Sequence, residues 1–272
     1  FSCRHTTAEV RQAMPATFIH ELQHMLSYGE HVVTRGGPAE VTWLNEGLSH
    51  LAEELGGRHY EAKYPSPTGR TLTGQFFPDS AEPFHLTNLS GAYRWLSFPA
   101  GNTVTVLDAG SSGSLDERAA AWLFLRWLVA QRDSTVVQRL VQTNQVGAAN
   151  VAFAAGEPFA RLFADFGAAL WLDSLPGVPR EQVATRHRFG ERNLRRLMLA
   201  LHQMAPARAA TPWSLAPDSA SRALRRVFAL PAGGLGLYLW RSDGQTPLHV
   251  ARPDNRPVAG DLGLQLVVVR LP

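Results

Sequence analysis

The chain has 272 residues, of which 45% are hydrophobic and 18% are charged, so a packed core is expected and a wholly disordered chain is excluded. The formal net charge is only +3, and all 26 basic residues except Lys63 are arginine, which indicates a GC-rich coding bias rather than a nucleic-acid-binding surface. No apolar stretch approaches the ~18 residues of a membrane-spanning helix. A single cysteine, Cys3, excludes an internal disulfide framework and a cysteine-based zinc cluster.

The first residue is Phe1, and no apolar leader segment follows it. We therefore expect the chain to be a piece of a longer protein whose compartment signal lies elsewhere. Cys3 is then either a buried thiol or one half of a disulfide with an upstream cysteine.

The first quarter of the chain predicts two helices. The first covers about residues 6–31 and begins with a Thr6-x-x-Glu9 capping box. Pro15 inside it either starts a second helical segment or kinks a continuous one. Residues at spacings of three and four predict one apolar face, made of Phe18, Ile19, Leu22, Met25 and Leu26.

The second helix is predicted from about Thr42 to Leu55, because Gly56-Gly57 is a typical C-terminal stop. Residues 58–114 are rich in Pro, Gly, Ser and Thr and contain short aromatic runs. We expect this stretch to be irregular. At this length it is more typical of a wall around a functional site than of an idle loop.

Helical patterns return over residues 115–205, and the pattern changes again after them. Four helices are predicted, around Trp122–Leu128, from Val136, over Phe159–Leu172 and over 180–204. From residue 207 apolar residues alternate with period two, which predicts strands. The expected fold class is therefore α+β, with a mainly helical domain over residues 1–206 and a small β-sandwich-like, all-β module over residues 207–272.

A metal-binding motif, HExxH, lies in the first helix. His20 and His24 are at positions i and i+4, so their imidazoles share one helix face and can both bind one ion at the ~2.0–2.1 Å that zinc requires. Glu21 points sideways from that face, where its carboxylate can hold a water molecule on the ion.

A third ligand is predicted at Glu46, early in the second helix and after a Gly-Gly-Pro loop. Two helices joined in this way can lie antiparallel, which would bring Glu46 to the two histidines. Two His and one Glu leave the fourth position of a tetrahedral zinc ion open, as in catalytic rather than structural sites. We therefore expect one Zn²⁺, bound by His20, His24 and Glu46.

HExxH followed by Asn45-Glu46-Gly47 resembles the gluzincin metallopeptidases. The stretches His20–Met25 and Trp43–Glu53 are most similar to the hyicolysin-type branch, peptidase family M30. Later segments add to the likeness, namely Ala119–Leu128, Gly156–Phe159 and Leu170–Asp173. The resemblance covers about residues 10–176 and is strongest at the two metal helices.

This resemblance implies a zincin-like catalytic domain and a secreted or cell-envelope bacterial endopeptidase that acts on a protein or peptide substrate. It also implies that Glu21 is the general base for a zinc-activated water. Zincin folds usually have a sheet before the HExxH helix. Too few residues precede His20 for that sheet, so we expect it to be missing or truncated in this chain.

Two residues of the second helix are candidates for orienting the ligands. Glu53 lies two turns beyond Glu46 on the same face, and gluzincins similar to this chain often have a carboxylate there. The alternative for Glu53 is a solvated helix surface. His50, at i+4 from Glu46, stands where thermolysin-like relatives have an Asp, and it is the second candidate.

Peptide hydrolysis also needs a donor to the developing oxyanion. The branch that this chain resembles commonly has a Tyr just before the residue that aligns with Ala119, where this sequence has Asp116-Glu117-Arg118. Three residues are candidates for the donor: Arg118, Tyr93 and His85. A plain helix-surface role for Arg118 stays open beside them.

A second hypothesis is a zincin-scaffold binding or surface protein with weak or no hydrolysis. The missing Tyr and the predicted β module support it. The complete HExxH motif together with Glu46 favours the enzyme, because a scaffold under no catalytic demand has no use for Glu21.

Overall fold

A computed structural model describes residues 5–63, 82–105, 113–190, 193–220, 233–240, 251–252, 254–258, 260 and 263–269. Within these ranges the chain is largely helical. The α-helices are α1 (Thr7–Tyr28), α2 (Thr42–Lys63), α3 (Glu82–Ser97), α4 (Leu115–Gln131), α5 (Thr135–Val141), α6 (Gly147–Ala155), α7 (Phe159–Leu172) and α8 (Leu194–Met204). A π-helical segment, Gly29–Thr34, continues α1, and two 3₁₀ turns occupy Arg180–Gln182 and Thr185–His187. Cys3 lies outside the described residues.

The central element is α4, whose residues Ala119–Leu128 are all buried. A Ser114/Glu117 capping box begins it, and α2, α3 and α7 pack against it. Helix α1 packs mainly on α2, and α8 packs on α3. Helix α2, which carries Glu46, therefore packs directly on α4. Helix α1, which carries the two histidines, packs on α2.

A buried ion-pair network fastens α2 to α4. Glu54 accepts hydrogen bonds from Trp122 Nε1 at 2.9 Å and from Arg126 Nε at 3.1 Å, and it also pairs with Arg58 at 2.6 Å. Burial raises the pKa of Glu54, but the charges of Arg126 and Arg58 outweigh it and lower the pKa to about 2. Because both α4 partners are themselves buried, this network fixes α2 firmly on the core.

The start of α1 is as predicted, and Pro15 does not divide it. Thr6 and Glu9 form the capping box, and the helix is continuous through Pro15. The predicted apolar face of α1, however, is not its buried face. Ile19 is half-buried, but the other residues of that face are exposed, namely Phe18, Leu22, Met25 and Leu26. Helix α1 instead turns a polar face, with Gln23 and Ser27 buried, towards α2.

The predicted end of α2 at Gly56-Gly57 is wrong, since the helix continues to Lys63. The glycines serve close packing rather than termination. A Cβ atom on Gly57 would clash with the imidazole ring of His85 and lie 2.8 Å from Cβ of Phe84, both on α3. A glycine also allows close packing next to Glu46, because a Cβ on Gly47 would lie 3.2 Å from the backbone carbonyl carbon of Ala121 in α4.

The irregular region predicted over residues 58–114 contains a helix. Residues 58–63 complete α2, and α3 occupies Glu82–Ser97 with Phe84, Trp95 and Leu96 fully buried. Residues 64–81 and 106–112 lie outside the described part. The Pro- and Gly-rich composition therefore masked a core helix.

The four helices predicted over 115–205 are partly corrected. The prediction for Phe159–Leu172 is confirmed in both bounds, but the segment begun at Val136 is two short helices, α5 and α6. The helix predicted over 180–204 is two 3₁₀ turns followed by α8.

The α+β fold class with an all-β C-terminal module is contradicted. The described residues after 206 contain two three-residue strands, β1 (Asp218–Ala220) and β2 (Tyr238–Trp240), which pair in parallel. Leu215 belongs to the same buried core as the helices, and Leu235 and Leu237 pack against that core. The alternating residues Leu235 and Leu237 thus pack on the helical body, whereas residues 263–269 are exposed and form no strand. The fold shows no sandwich within the described residues.

In the described part of the chain, no helix has both the length and the apolarity that crossing a membrane requires.

The close contact at Gly57 gives a test of the packing between α2 and α3. We expect Gly57→Ala to destabilise the protein by ~1–3 kcal/mol through overpacking, although alanine favours a helix by up to ~1 kcal/mol over glycine. Gly29→Ala is the matched control, because Gly29 has helical backbone angles and a Cβ there meets no atom within 4 Å. The Gly29→Ala variant should have a free energy of unfolding ~0.4–1 kcal/mol higher than that of the wild type. Urea unfolding measures both, and a stabilised Gly57→Ala variant would contradict the packing account.

Candidate metal centre

The two histidines of α1 and Glu46 of α2 converge on one point. Nε2 of His20 and Nε2 of His24 lie 3.2 Å apart. The carboxylate of Glu46 lies 3.5 Å from the first nitrogen and 3.9 Å from the second. All three side chains are half-buried, and their ligand atoms lie within 4.8 Å of one another. The antiparallel arrangement predicted for the two helices is therefore consistent with the placement of these ligands.

These separations fit a small tetrahedral cation. Ligand bonds of ~2.0–2.1 Å with tetrahedral angles put neighbouring zinc ligands ~3.3–3.4 Å apart. The separations of 3.2, 3.5 and 3.9 Å bracket that value, so small side-chain movements suffice. Two imidazoles and one carboxylate are also a donor set that suits zinc better than magnesium or calcium.

A second group of possible ligand atoms shares His20 and adds His50 and Glu53. This second group fits a cation less well, because both carboxylate oxygens of Glu53 already contact ring nitrogens of histidines. Nδ1 of His20 lies 2.7 Å from Oε1 of Glu53, and Nδ1 of His50 lies 3.1 Å from Oε2. Each contact is a hydrogen bond if the ring nitrogen carries a proton. Glu53 is therefore a hydrogen-bond acceptor that joins the two rings.

The site favours a positive charge between its ligands. Burial lowers the pKa of His20, but Glu46 and Glu53 outweigh it and raise the pKa from 6.5 to about 9. Burial likewise raises the pKa of Glu46, and His20, Arg118 and His24 together lower it below its ordinary range. With Nδ1 of His20 bonded to Glu53, the raised pKa places an added proton on Nε2, where a metal would bind.

Each of the three candidate ligands contacts a partner of its own. His20 contacts Glu53, which also accepts a hydrogen bond from Nδ2 of Asn88 at 3.0 Å. The hydroxyl oxygen of Ser49 lies 3.1 Å from Nδ1 and 3.3 Å from Nε2 of His24. Glu46 accepts a hydrogen bond from Nη1 of Arg118 at 3.1 Å. Such contacts orient metal ligands and set their basicity.

The structure therefore brings Glu53, His50 and Arg118 to the centre, and it buries Glu53 rather than leaving it on a solvated surface. Sequence reasoning missed Ser49 and Asn88. Ser49 stands three residues after Glu46 on the same helix face, a spacing that could have revealed it. Asn88 comes from α3, in the region that composition marked as irregular, so no sequence signal pointed to it.

Glu21 lies on α1 directly after His20, and its side chain is exposed. No hydrogen bond or ion pair joins it to the rest of the described residues. An exposed carboxylate on the helix that carries the two histidines is open to a water molecule or a substrate.

Tyr93 and His85 have partners away from the three ligands. The hydroxyl of Tyr93 bonds to Thr211, at 2.8 Å from its Oγ1 and 3.0 Å from its backbone nitrogen. Nε2 of His85 lies 2.9 Å from the carboxylate of Glu61 near the end of α2. Among the three oxyanion candidates, Arg118 directly contacts a candidate ligand.

Comparisons with known proteins give no relative for this chain: no family model matches it, and no curated protein and no solved structure shows significant similarity to it.

The raised pKa of His20 predicts a strong pH dependence of zinc binding. A metal must displace the proton on His20, so the apparent affinity should rise about tenfold per pH unit from about pH 6.5 and level off near pH 9. Competition with a chromophoric chelator at several pH values measures this slope. His24→Ala should abolish most binding. A flat profile, or unchanged binding in that variant, would contradict the assignment of the ligands.

The same pKa predicts the stability of the metal-free protein. The folded-state pKa of about 9 lies above the ordinary 6.5, so protonated His20 stabilises the fold fully below pH 6.5. That contribution is lost as the pH rises towards 9. Thermal unfolding in the presence of chelator should therefore show a falling Tm over this range, and His20→Gln should flatten the decline.

Proposed function

We propose that the protein is a zinc-dependent metalloendopeptidase. The observation that carries the proposal is the convergence of two imidazole nitrogens and the Glu46 carboxylate at separations of 3.2–3.9 Å, with both histidines on the helix that also carries Glu21 of the HExxH motif. A structural role alone would not require an exposed carboxylate at this position.

His20, His24 and Glu46 would hold the ion, with their contacts to Glu53, Ser49 and Arg118 fixing the ligands. Zinc, when bound, supplies a Lewis acid that polarises the scissile carbonyl and lowers the pKa of the attacking water.

Glu21 acts as the general base in this proposal. Its carboxylate accepts the proton of the attacking water and then delivers that proton to the nitrogen of the leaving amine. Its exposure on α1 supports the role, because both the water and the substrate must reach it.

Arg118 has two candidate roles in this reaction, namely to keep Glu46 ionised or to donate to the oxyanion. Its contact with Glu46 favours the first role. A guanidinium is charged at every working pH, so the hydrogen bond to Oε2 keeps the Glu46 carboxylate ionised and in place. The second role, as donor to the developing oxyanion, stays a prediction. Protein or peptide substrates and a secreted or cell-envelope location belong to the same proposal and rest on the resemblance to gluzincins.

The general-base role gives the direct test of this function. Glu21→Gln keeps the shape of the side chain but cannot accept a proton, so it should bind zinc as the wild type does and lose ~10²–10⁴-fold in turnover. Cleavage of an unstructured protein, with zinc content measured in parallel, checks both. Glu30→Gln is the matched control, since it removes another carboxylate from the same helical stretch and should leave turnover unchanged.

The outcomes separate the two hypotheses. Wild-type turnover in Glu21→Gln would exclude Glu21 as the base. Zinc binding by the wild type without any chelator-sensitive cleavage would favour a zincin-scaffold binding protein instead of a peptidase.

A further inference from the structure

Five large apolar side chains of α1 are exposed, on a side of the helix that does not face α2. Phe18 is 62% exposed and Met25 is 71% exposed, and at least 39% of each of Met14, Leu22 and Leu26 is exposed. These residues are neighbours on the helix surface, because they follow one another at spacings of three and four. We call them the α1 stripe. A contiguous apolar patch that the described part of the chain leaves uncovered is typical of an interaction site.

The α1 stripe continues into an open groove beside it. The groove has a volume of about 500 Å³ and is lined mainly by apolar side chains of α1, α2, α4 and α5, among them Leu26, Leu51, Leu55 and Val137. Leu26 belongs to both the stripe and the groove, and Leu55 is itself 50% exposed. The uncovered apolar surface therefore extends beyond one face of one helix.

The size of this surface suits another protein chain. From Met14 to Leu26 the stripe runs ~18 Å along the helix, which is too long for a small molecule to cover. Five large side chains that are about half exposed leave roughly 500 Å² of apolar surface on one copy of the protein. Two copies that cover this surface mutually bury about 1,000 Å², which is the lower limit for a specific interface, and the groove adds to it.

The spacing of the stripe makes it complementary to itself. Met14, Phe18, Leu22 and Leu26 recur at every fourth residue, so the row of apolar side chains is the same from either end. Two α1 helices that pack antiparallel about a twofold axis between Phe18 and Leu22 pair Phe18 of one copy with Leu22 of the other. The same axis pairs Met14 with Leu26. Each copy then uses the same patch, as in an isologous dimer.

Charges at the two ends of the stripe favour the antiparallel orientation. Arg11 is exposed just before the stripe, and Glu30 lies just after it and lines the groove. An antiparallel pair brings Arg11 of one copy to the end that carries Glu30 of the other, whereas a parallel pair brings the two Arg11 side chains together. Glu30 pairs with Arg35 of its own chain through Oε2, which leaves Oε1 as an acceptor.

We propose that the α1 stripe binds a second copy of this chain, so that the protein forms an antiparallel, isologous homodimer. His20 and His24 face α2, and Glu21 lies between that side and the stripe, since successive residues of a helix are about 100° apart. Pairing of the stripes therefore does not bury the ligand cluster. The proposal depends on neither zinc binding nor peptidase activity.

Sedimentation of the purified protein over ~1–100 µM measures the dimer directly. Reducing conditions prevent Cys3 from linking two chains. The wild type should pass from monomer to dimer within this range. Phe18→Glu places a carboxylate at the centre of the interface, so it should weaken dimerisation by at least ~30-fold. The matched control is Phe153→Glu, because Phe153 on α6 is 63% exposed but lies outside the stripe, and this variant should dimerise as the wild type does.

Cross-linking tests the orientation of the pair. In a Cys3→Ser background, Met14→Cys chains are mixed with Leu26→Cys chains and oxidised. The antiparallel pair should give disulfides mainly between unlike chains. A parallel pair would instead link Met14→Cys chains to one another, and that result would overturn the proposed arrangement.

The outcomes separate the dimer from the proposed function. A wild type that stays monomeric at ~100 µM overturns the proposal and indicates that a different partner covers the stripe. Equal dimerisation of Phe18→Glu and Phe153→Glu overturns it as well. Zinc binding, measured in parallel, should be the same in both variants, so loss of the dimer with zinc retained supports the dimer whether or not the protein cleaves peptides. If Phe18→Glu fails to fold, Met14→Glu at the end of the stripe decides.

Discussion

The contact between α1 and α2 is polar, and the candidate centre depends on it. Helix α1 contributes one buried apolar residue, Ala16, while its polar residues Gln23 and Ser27 are also buried. Buried polar groups destabilise a fold unless they are paired. Two hydrogen bonds at the site cross this contact, from His20 to Glu53 and from Ser49 to Gln23, whereas Ser27 Oγ has no partner among the described residues. The free energy that holds α1 on the fold and the free energy that shapes the ligand cluster therefore come from the same interactions.

Helix α2 makes this arrangement rigid because neighbouring residues on it face opposite partners. Glu46 faces the histidines, and Gly47 next to it allows α2 to approach Ala121 of α4. Glu53 faces His20, and Glu54 next to it is locked in the buried network with Arg126. The ligand and its supporting carboxylate thus project from a helix whose other side is fixed in the core. A site built on a fixed helix holds its geometry better than one on a loop.

The ligand set was predictable from sequence because it depends on spacing within helices. His20, His24, Glu46 and Glu53 follow from helix periodicity and one short loop, and the structure brings all four together. The packing partners were not predictable. Gly57 resembles a helix stop unless the close approach of α3 is known. Two further predictions failed because periodicity shows that a face is apolar but not what covers it. These were the buried face of α1 and the β module after residue 207.

The charges of the centre argue for a divalent ion of the zinc type. Two carboxylates, Glu46 and Glu53, lie close to His20, and of the two only Glu46 contacts a permanent cation, Arg118, in the described structure. A proton on His20 supplies a further positive charge, which is why Glu46 and Glu53 raise the pKa of His20 to about 9 despite its burial. A metal ion at the same point would supply more charge and bind both facing nitrogens, which a single proton cannot do. Magnesium and calcium prefer oxygen ligands, so the pair of imidazoles selects against them. The hydrogen bond from His20 to Glu53 need not change in either state, because Glu53 contacts Nδ1, the nitrogen that a metal on Nε2 leaves free.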